Sequence, residues 1–149
     1  MATWMIVEDD PQVYELLTEA FERWEIESLL FVDVDQALEW ITLVDQGVNV
    51  GELPELVLLD LRFYNEIVGH LVGQQLRRSP TLKHLPIVIM TAQIISPQEH
   101  ELYVRTVQPD AFLRKPLPRF SELKRKLDSI IHKRKKQTET TRLPRGLKS

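Results

Sequence analysis

The chain has 149 residues, 43% of them hydrophobic, which is the usual size of one domain and enough to fill one core. It contains no cysteine, so disulfides, thiolate metal sites and thiol nucleophiles are excluded, and any metal site must be built from Asp, Glu and His. The net charge of −3 hides a segregation: residues 1–113 carry 19 Asp and Glu against 6 Lys and Arg (−13), and residues 114–149 carry 3 against 13 (+10).

Along the chain, apolar runs of strand length alternate with segments of helical period. Trp4-Met5-Ile6-Val7 is a continuous apolar run that ends in acids, the pattern of a central parallel strand buried on both faces. Asp10 before Pro11 signals a helix start, with the carboxylate as N-cap, and Val13, Leu16, Leu17, Ala20, Phe21 and Trp24 make one apolar face. Residues 28–32 give a second strand. Asp33 or Asp35 then caps a helix that carries Ala37, Leu38, Ile41 and Val44 and ends near Gly47.

A loop over residues 48–54 leads to Leu56-Val57-Leu58-Leu59, which runs straight into Asp60. A glycine-containing loop and a helix from about Gly69 to Arg78 follow. The fourth strand, Pro86 to Thr91, ends on a hydroxyl. Pro97 opens another helix, Ala111-Phe112-Leu113 is a short fifth strand before Arg114-Lys115-Pro116, and a last amphipathic helix covers about residues 119–136. Residues 1–136 are expected to form the domain and residues 137–149 a basic, disordered tail. The run His132-Lys133-Arg134-Lys135-Lys136 reads as a solvated helix end, so nucleic acid is not an expected partner. No apolar run reaches the roughly 18 to 20 residues of a membrane span, and a soluble, cytoplasmic protein without a membrane partner is expected.

Such alternation predicts an α/β fold, one parallel sheet with helices on both faces and ligands at the C-terminal ends of the strands. Those ends supply Glu8 and Asp9, Asp60, Thr91 and Lys115. Three carboxylates brought together repel unless a cation lies among them, and oxygen donors favour Mg²⁺. A lysine beside them can pair with a phosphoryl oxygen and a threonine hydroxyl can donate to another, which suits phosphoryl transfer to Asp60. Trp4, Trp24, Trp40 and Met90 read as packing residues, and the four scattered histidines show no ligand spacing.

The segments Ile6-Val7-Glu8-Asp9-Asp10, Val57-Leu58-Leu59-Asp60-Leu61, Ile89-Met90-Thr91-Ala92 and Leu113-Arg114-Lys115-Pro116 resemble, in order, the four signature segments of response-regulator receiver domains. The resemblance covers about residues 3–135. It implies a doubly wound, flavodoxin-like (βα)₅ sheet in strand order 2-1-3-4-5. It also implies that Glu8 and Asp9 bind Mg²⁺ with Asp60 and the backbone carbonyl of Arg62, and that Asp60 is phosphorylated by a sensor histidine kinase or a phosphotransfer protein. Thr91 and Phe112 become the switch residues and Lys115 the phosphoryl contact. A homodimer through the fourth helix, fifth strand and fifth helix is a further implication, and the protein is not expected to be a conventional enzyme.

Three departures from the family pattern stand out. Tyr64 and Val68 occupy positions where the family usually has proline and glycine, with Gly69 and Gly73 nearby, as if the loop were one residue longer. Phe112 replaces a common tyrosine, and Gln108-Pro109-Asp110 stands where a glycine is usual. Two other classes compete with the signalling receiver. One is a phosphorylation-independent pseudo-receiver used for docking, which the intact acidic pair, Asp60, Thr91 and Lys115 oppose. The other is a hydrolase of the haloacid dehalogenase type, whose second aspartate is replaced here by Arg62.

Overall fold

The structure is a computed structural model and describes residues 1–64 and 66–142. Five parallel strands form the sheet: β1 (Thr3–Val7), β2 (Glu27–Phe31), β3 (Val57–Asp60), β6 (Ile87–Thr91) and β7 (Ala111–Arg114), in the order β2-β1-β3-β6-β7. This is the expected 2-1-3-4-5 order, because β4 (Arg62–Phe63) and β5 (Glu66–Ile67) form a separate antiparallel hairpin and do not join the sheet. The helices are α1 (Pro11–Arg23), α2 (Val34–Asp45), α3 (His70–Arg78), α4 (Pro97–Thr106) and α5 (Phe120–Arg142).

The continuous apolar strands divide by alternation between two cores. Met5, Val7, Val57, Leu59, Ile87 and Ile89 point to the layer of α2, α3 and α4. Trp4, Ile6, Leu58, Val88 and Met90 point to the layer of α1 and α5, where Leu17, Phe21, Leu123 and Leu127 meet them. Asp10 caps α1 as expected, accepting from the Gln12 amide at 3.0 Å, and Asp33 caps α2 through the amides of Asp35 and Gln36. Ser96 and Glu99 form a capping box at the start of α4, a signal that the sequence carries in its Ser-Pro-Gln-Glu segment.

Two expectations need correction. The domain boundary set after residue 136 falls inside α5, which continues to Arg142. Residues 133–142 contain no glycine or proline and include five Lys and Arg, which are good helix formers, and the Thr138 hydroxyl bonds back to the Arg134 carbonyl at 3.0 Å. Residues 143–149 of the expected tail lie outside the described residues. The loop after Asp60 is in fact the β4–β5 hairpin, with Arg62 paired to Ile67 and Phe63 to Glu66. Its turn begins at Tyr64, which has a φ of 49°, and Phe63 is buried in the α2–α3–α4 core.

Candidate functional site

Strand register carries the expected site residues to one edge. Val7 pairs with Leu59, which sets Glu8 beside Asp60, and Thr91 pairs with Arg114, which sets Lys115 above them. The ladder continues one bond past the strand ends: the Glu8 amide donates to the Phe31 carbonyl at 3.0 Å, and the Lys115 amide to the Thr91 carbonyl at 2.8 Å. Both side chains therefore leave from anchored backbone.

Glu8, Asp9 and Asp60 each place a carboxylate oxygen within 4.8 Å of the others, the one such acidic cluster among the described residues. Glu8 is fully buried, Asp60 is buried and Asp9 is half-buried. Lys115 Nζ donates to Glu8 Oε1 at 2.5 Å and lies 3.3 Å from Asp60 Oδ1. The charge balance is incomplete, since one ammonium faces three carboxylates. Burial pushes the Glu8 carboxyl up to about 7, with the bond from Lys115 pulling it down and the Asp60 charge adding to the rise. Desolvation opposes the Lys115 charge, but the bond to Glu8 and the Asp60 charge outweigh it, and the ammonium is held above its ordinary value. A crowded, oxygen-only donor set with surplus negative charge fits a hard divalent cation.

Around this cluster opens a cleft of about 310 Å³. Thr91 lies on its wall, but its hydroxyl is engaged with its own loop, donating to the Gln93 carbonyl at 3.1 Å and accepting from the Gln93 amide at 3.2 Å. Arg62 lines the cleft too, and its guanidinium reaches across to Gln93 Oε1 at 2.7 Å. Phe112 stands away from the acids, half-buried, and stacks on His100 of α4 with ring centroids 4.7 Å apart.

Sequence reasoning missed three participants. The Tyr64 amide donates to Asp9 Oδ2 at 3.2 Å, so the hairpin holds one of the carboxylates. Gln93 bridges Thr91 and Arg62, and its place two residues after the strand-end hydroxyl was the available signal. Gly69 is the third: a Cβ there would collide with the Asp60 carbonyl, while its amide and that of Val68 both donate to the Leu61 carbonyl. The chain returns over Asp60 at this glycine, nine positions on, which accounts for the displaced glycine of the sequence pattern.

Comparisons with known proteins identify the family and the fold. The family model described as "Response regulator receiver domain" matches residues 4–128. A curated relative, Probable methanogenesis regulatory protein FilR2 of Methanothrix harundinacea, is 33% identical over 128 residues, which cover 85% of this chain and 79% of that protein. Among solved structures, a CheY-like receiver domain protein from Methanospirillum hungatei superposes with a TM-score of 0.70 at 16% identity, covering 92% of this chain and 98% of that one. The receiver domain of the Pseudomonas aeruginosa sensor histidine kinase PA1611, solved with a magnesium ion in its active-site cleft, gives 0.69 at 20% identity, covering 88% and 98%. At these identities the structures speak for the fold alone. Together, the match over residues 4–128, the relative and the five-stranded order make this chain a member of the response regulator receiver domain family.

Proposed function

We propose that the protein works in the cytoplasm as a phosphoacceptor switch: Asp60 takes a phosphoryl group from a sensor histidine kinase or phosphotransfer protein in a Mg²⁺-dependent reaction. The observation that carries this reading is the position of Lys115 Nζ, 3.3 Å from Asp60 Oδ1 beside an underneutralised trio of carboxylates. In the transfer, an Asp60 oxygen bonds to phosphorus, the bond from phosphorus to the donor's imidazole nitrogen breaks, and that nitrogen takes up a proton. Glu8, Asp9, Asp60 and the Arg62 carbonyl would hold the Mg²⁺, which when bound neutralises charge on the phosphoryl oxygens. Lys115 already lies within reach of Asp60 and is placed to follow the charge onto the new phosphoryl group.

The switch would begin at Thr91, whose hydroxyl exchanges the Gln93 carbonyl for a phosphoryl oxygen. Phe112 would then leave its stack on His100, reshaping the surface of α4, β7 and α5, where a target or a second copy could read the state. The protein promotes its own modification without turning over a separate substrate. The reading is tested with acetyl phosphate and Mg²⁺, followed by intact mass. Wild type is expected to gain one labile phosphoryl adduct, and Asp60→Asn and Asp9→Ala to gain none. Equal labelling of Asp60→Asn would place the acceptor elsewhere.

A further inference from the structure

Of the two residues proposed for the switch, Phe112 is the one held by a contact outside the acidic site. It pairs in register with Ile89 and packs toward the α2–α3–α4 layer. Thr91 stands two residues beyond Ile89 and leaves the sheet on the same side, so it is a diagonal neighbour of Phe112. Lacking a hydroxyl, Phe112 has no hydrogen bond to hold its ring, and packing sets its rotamer. The ring lies on His100 of α4 at 4.7 Å between centroids and 29° between planes, a near-parallel stack. His100 is exposed, so it contributes little to the core. The start of α4 ties this stack to the site. The Thr91 hydroxyl holds the Gln93 carbonyl at 3.1 Å, Ser96 and Glu99 form the capping box, and the His100 amide donates to the Ser96 carbonyl at 2.9 Å. Three residues on, Tyr103 is 3% exposed and anchors the same face of α4 in the core.

We infer that His100 is the positioning residue of the switch: its stack fixes the resting rotamer of Phe112, and the exchange made by Thr91 reaches Phe112 through the first turn of α4. Release of the Gln93 carbonyl frees the segment that leads into the helix, while Tyr103 keeps the rest of α4 pinned. His100 then moves away from Phe112 with the start of the helix. The inference rests on the phosphoacceptor reading of Asp60 and adds to it a property that the acidic site does not set. Because the stack exists in the resting state, the residue at position 100 determines how much of the free energy of phosphoryl binding goes into moving the switch. A strong stacking partner there makes a stiff switch, and a small residue makes one that is partly thrown before any phosphoryl group arrives.

The experiment titrates beryllofluoride with Mg²⁺, a stand-in for the phosphoryl group, into the full chain and follows binding by fluorine NMR. Wild type, His100→Ala and His100→Tyr are compared, each with isotope-labelled phenylalanine, and Phe112→Leu assigns the Phe112 ring signals. In His100→Ala those signals should shift before any mimic is added. The mimic should then bind about 2- to 10-fold more tightly, the equilibrium equivalent of one aromatic pair. His100→Tyr, which keeps a stacking ring, should restore both wild-type values. General damage to the fold would weaken binding, so tighter binding separates a positioning role from a merely structural one. Unmoved Phe112 signals in His100→Ala, unchanged or weaker binding of the mimic, or equal tightening in His100→Tyr would overturn the inference and leave the phosphoacceptor reading standing. A wild type that binds no mimic would instead remove that reading, and the switch with it.

Discussion

Charge gathers at both ends of the sheet, and the two ends differ in how fully it is answered. At the N-terminal end, Arg77 of α3 has a side chain only 7% exposed, and all five of its N–H groups find acceptors. Four of these are the carbonyls of Val107, Lys83, Leu85 and Gln108, and the fifth is Asp110, which also accepts from the Ile87 amide at 2.9 Å. Arg134 of α5 adds a bond to the His84 carbonyl at 3.3 Å and a 3.7 Å pairing with Asp110. At the C-terminal end, Lys115 is the one cation among the described residues that pairs with the cluster of Glu8, Asp9 and Asp60. A cluster with every donor satisfied joins elements into a fold, and one left with surplus charge is a place for a ligand.

Breaking the satisfied end should have the largest effect. Arg77→Ala would leave four carbonyls without their donor and Asp110 with only the Ile87 amide and the more distant Arg134, and the expected cost is about 3–5 kcal/mol, the usual penalty for removing one partner of a buried ion pair. A urea titration should show the loss as a lower midpoint. The carboxylate end should respond in the opposite sense: Asp60→Asn removes surplus negative charge and should not destabilise. A loss below about 1 kcal/mol for Arg77→Ala, which is the scale of an exposed pair, would erase the distinction between the two ends.

The next effect sharpens the other end through pH. Glu8 ionises near its ordinary 4.5 when unfolded but is pushed up to about 7 in the fold, chiefly by burial. Between those values the folded state keeps a proton that the unfolded state has lost. Stability should therefore fall as pH rises through this window, by about 3 kcal/mol at most. Glu8→Gln should flatten the slope. Mg²⁺ should restore stability chiefly at the upper end of the window, by about 2.7 kcal/mol at a concentration 100 times its Kd. A wild-type slope identical to that of Glu8→Gln, with or without Mg²⁺, would mean that the carboxylates are already balanced.

The two ends were not equally legible in the sequence. Glu8, Asp9, Asp60 and Lys115 each follow an apolar run, and parallel register converts that regularity into proximity, so the acidic end is legible in the sequence alone. The Arg77 end is not, because four of its five acceptors are main-chain carbonyls in two separate loops, and a carbonyl leaves no mark on residue type. The hairpin was hidden for a related reason. Its strands are only two residues long, and Tyr64 lacks the glycine or asparagine that usually announces a positive φ. The extension of α5 to Arg142 is not legible because a basic run equally fits a solvated end, although its Lys and Arg residues are good helix formers.

The smallest expected effect tests how the acidic end is held without side-chain bonds of the Arg77 kind. Gly69 packs over the Asp60 carbonyl so closely that a methyl group must displace backbone, and the β4–β5 hairpin joins Asp60 to Gly69. Gly69→Ala should cost about 1–3 kcal/mol, the range for overpacking a close contact. Gly51→Ala is the matched control: Gly51 has a φ of 88° and open space around it, so the cost there is backbone strain of about 1 kcal/mol and nothing near Asp60 moves. The informative readout is amide exchange at Tyr64, whose N–H is bonded to Asp9 Oδ2. Gly69→Ala should speed that exchange and slow labelling by acetyl phosphate, whereas Gly51→Ala should change neither. If both variants lost similar stability and left the Tyr64 amide protected, the hairpin would be passive, and the carboxylates would owe their placement to strand register alone.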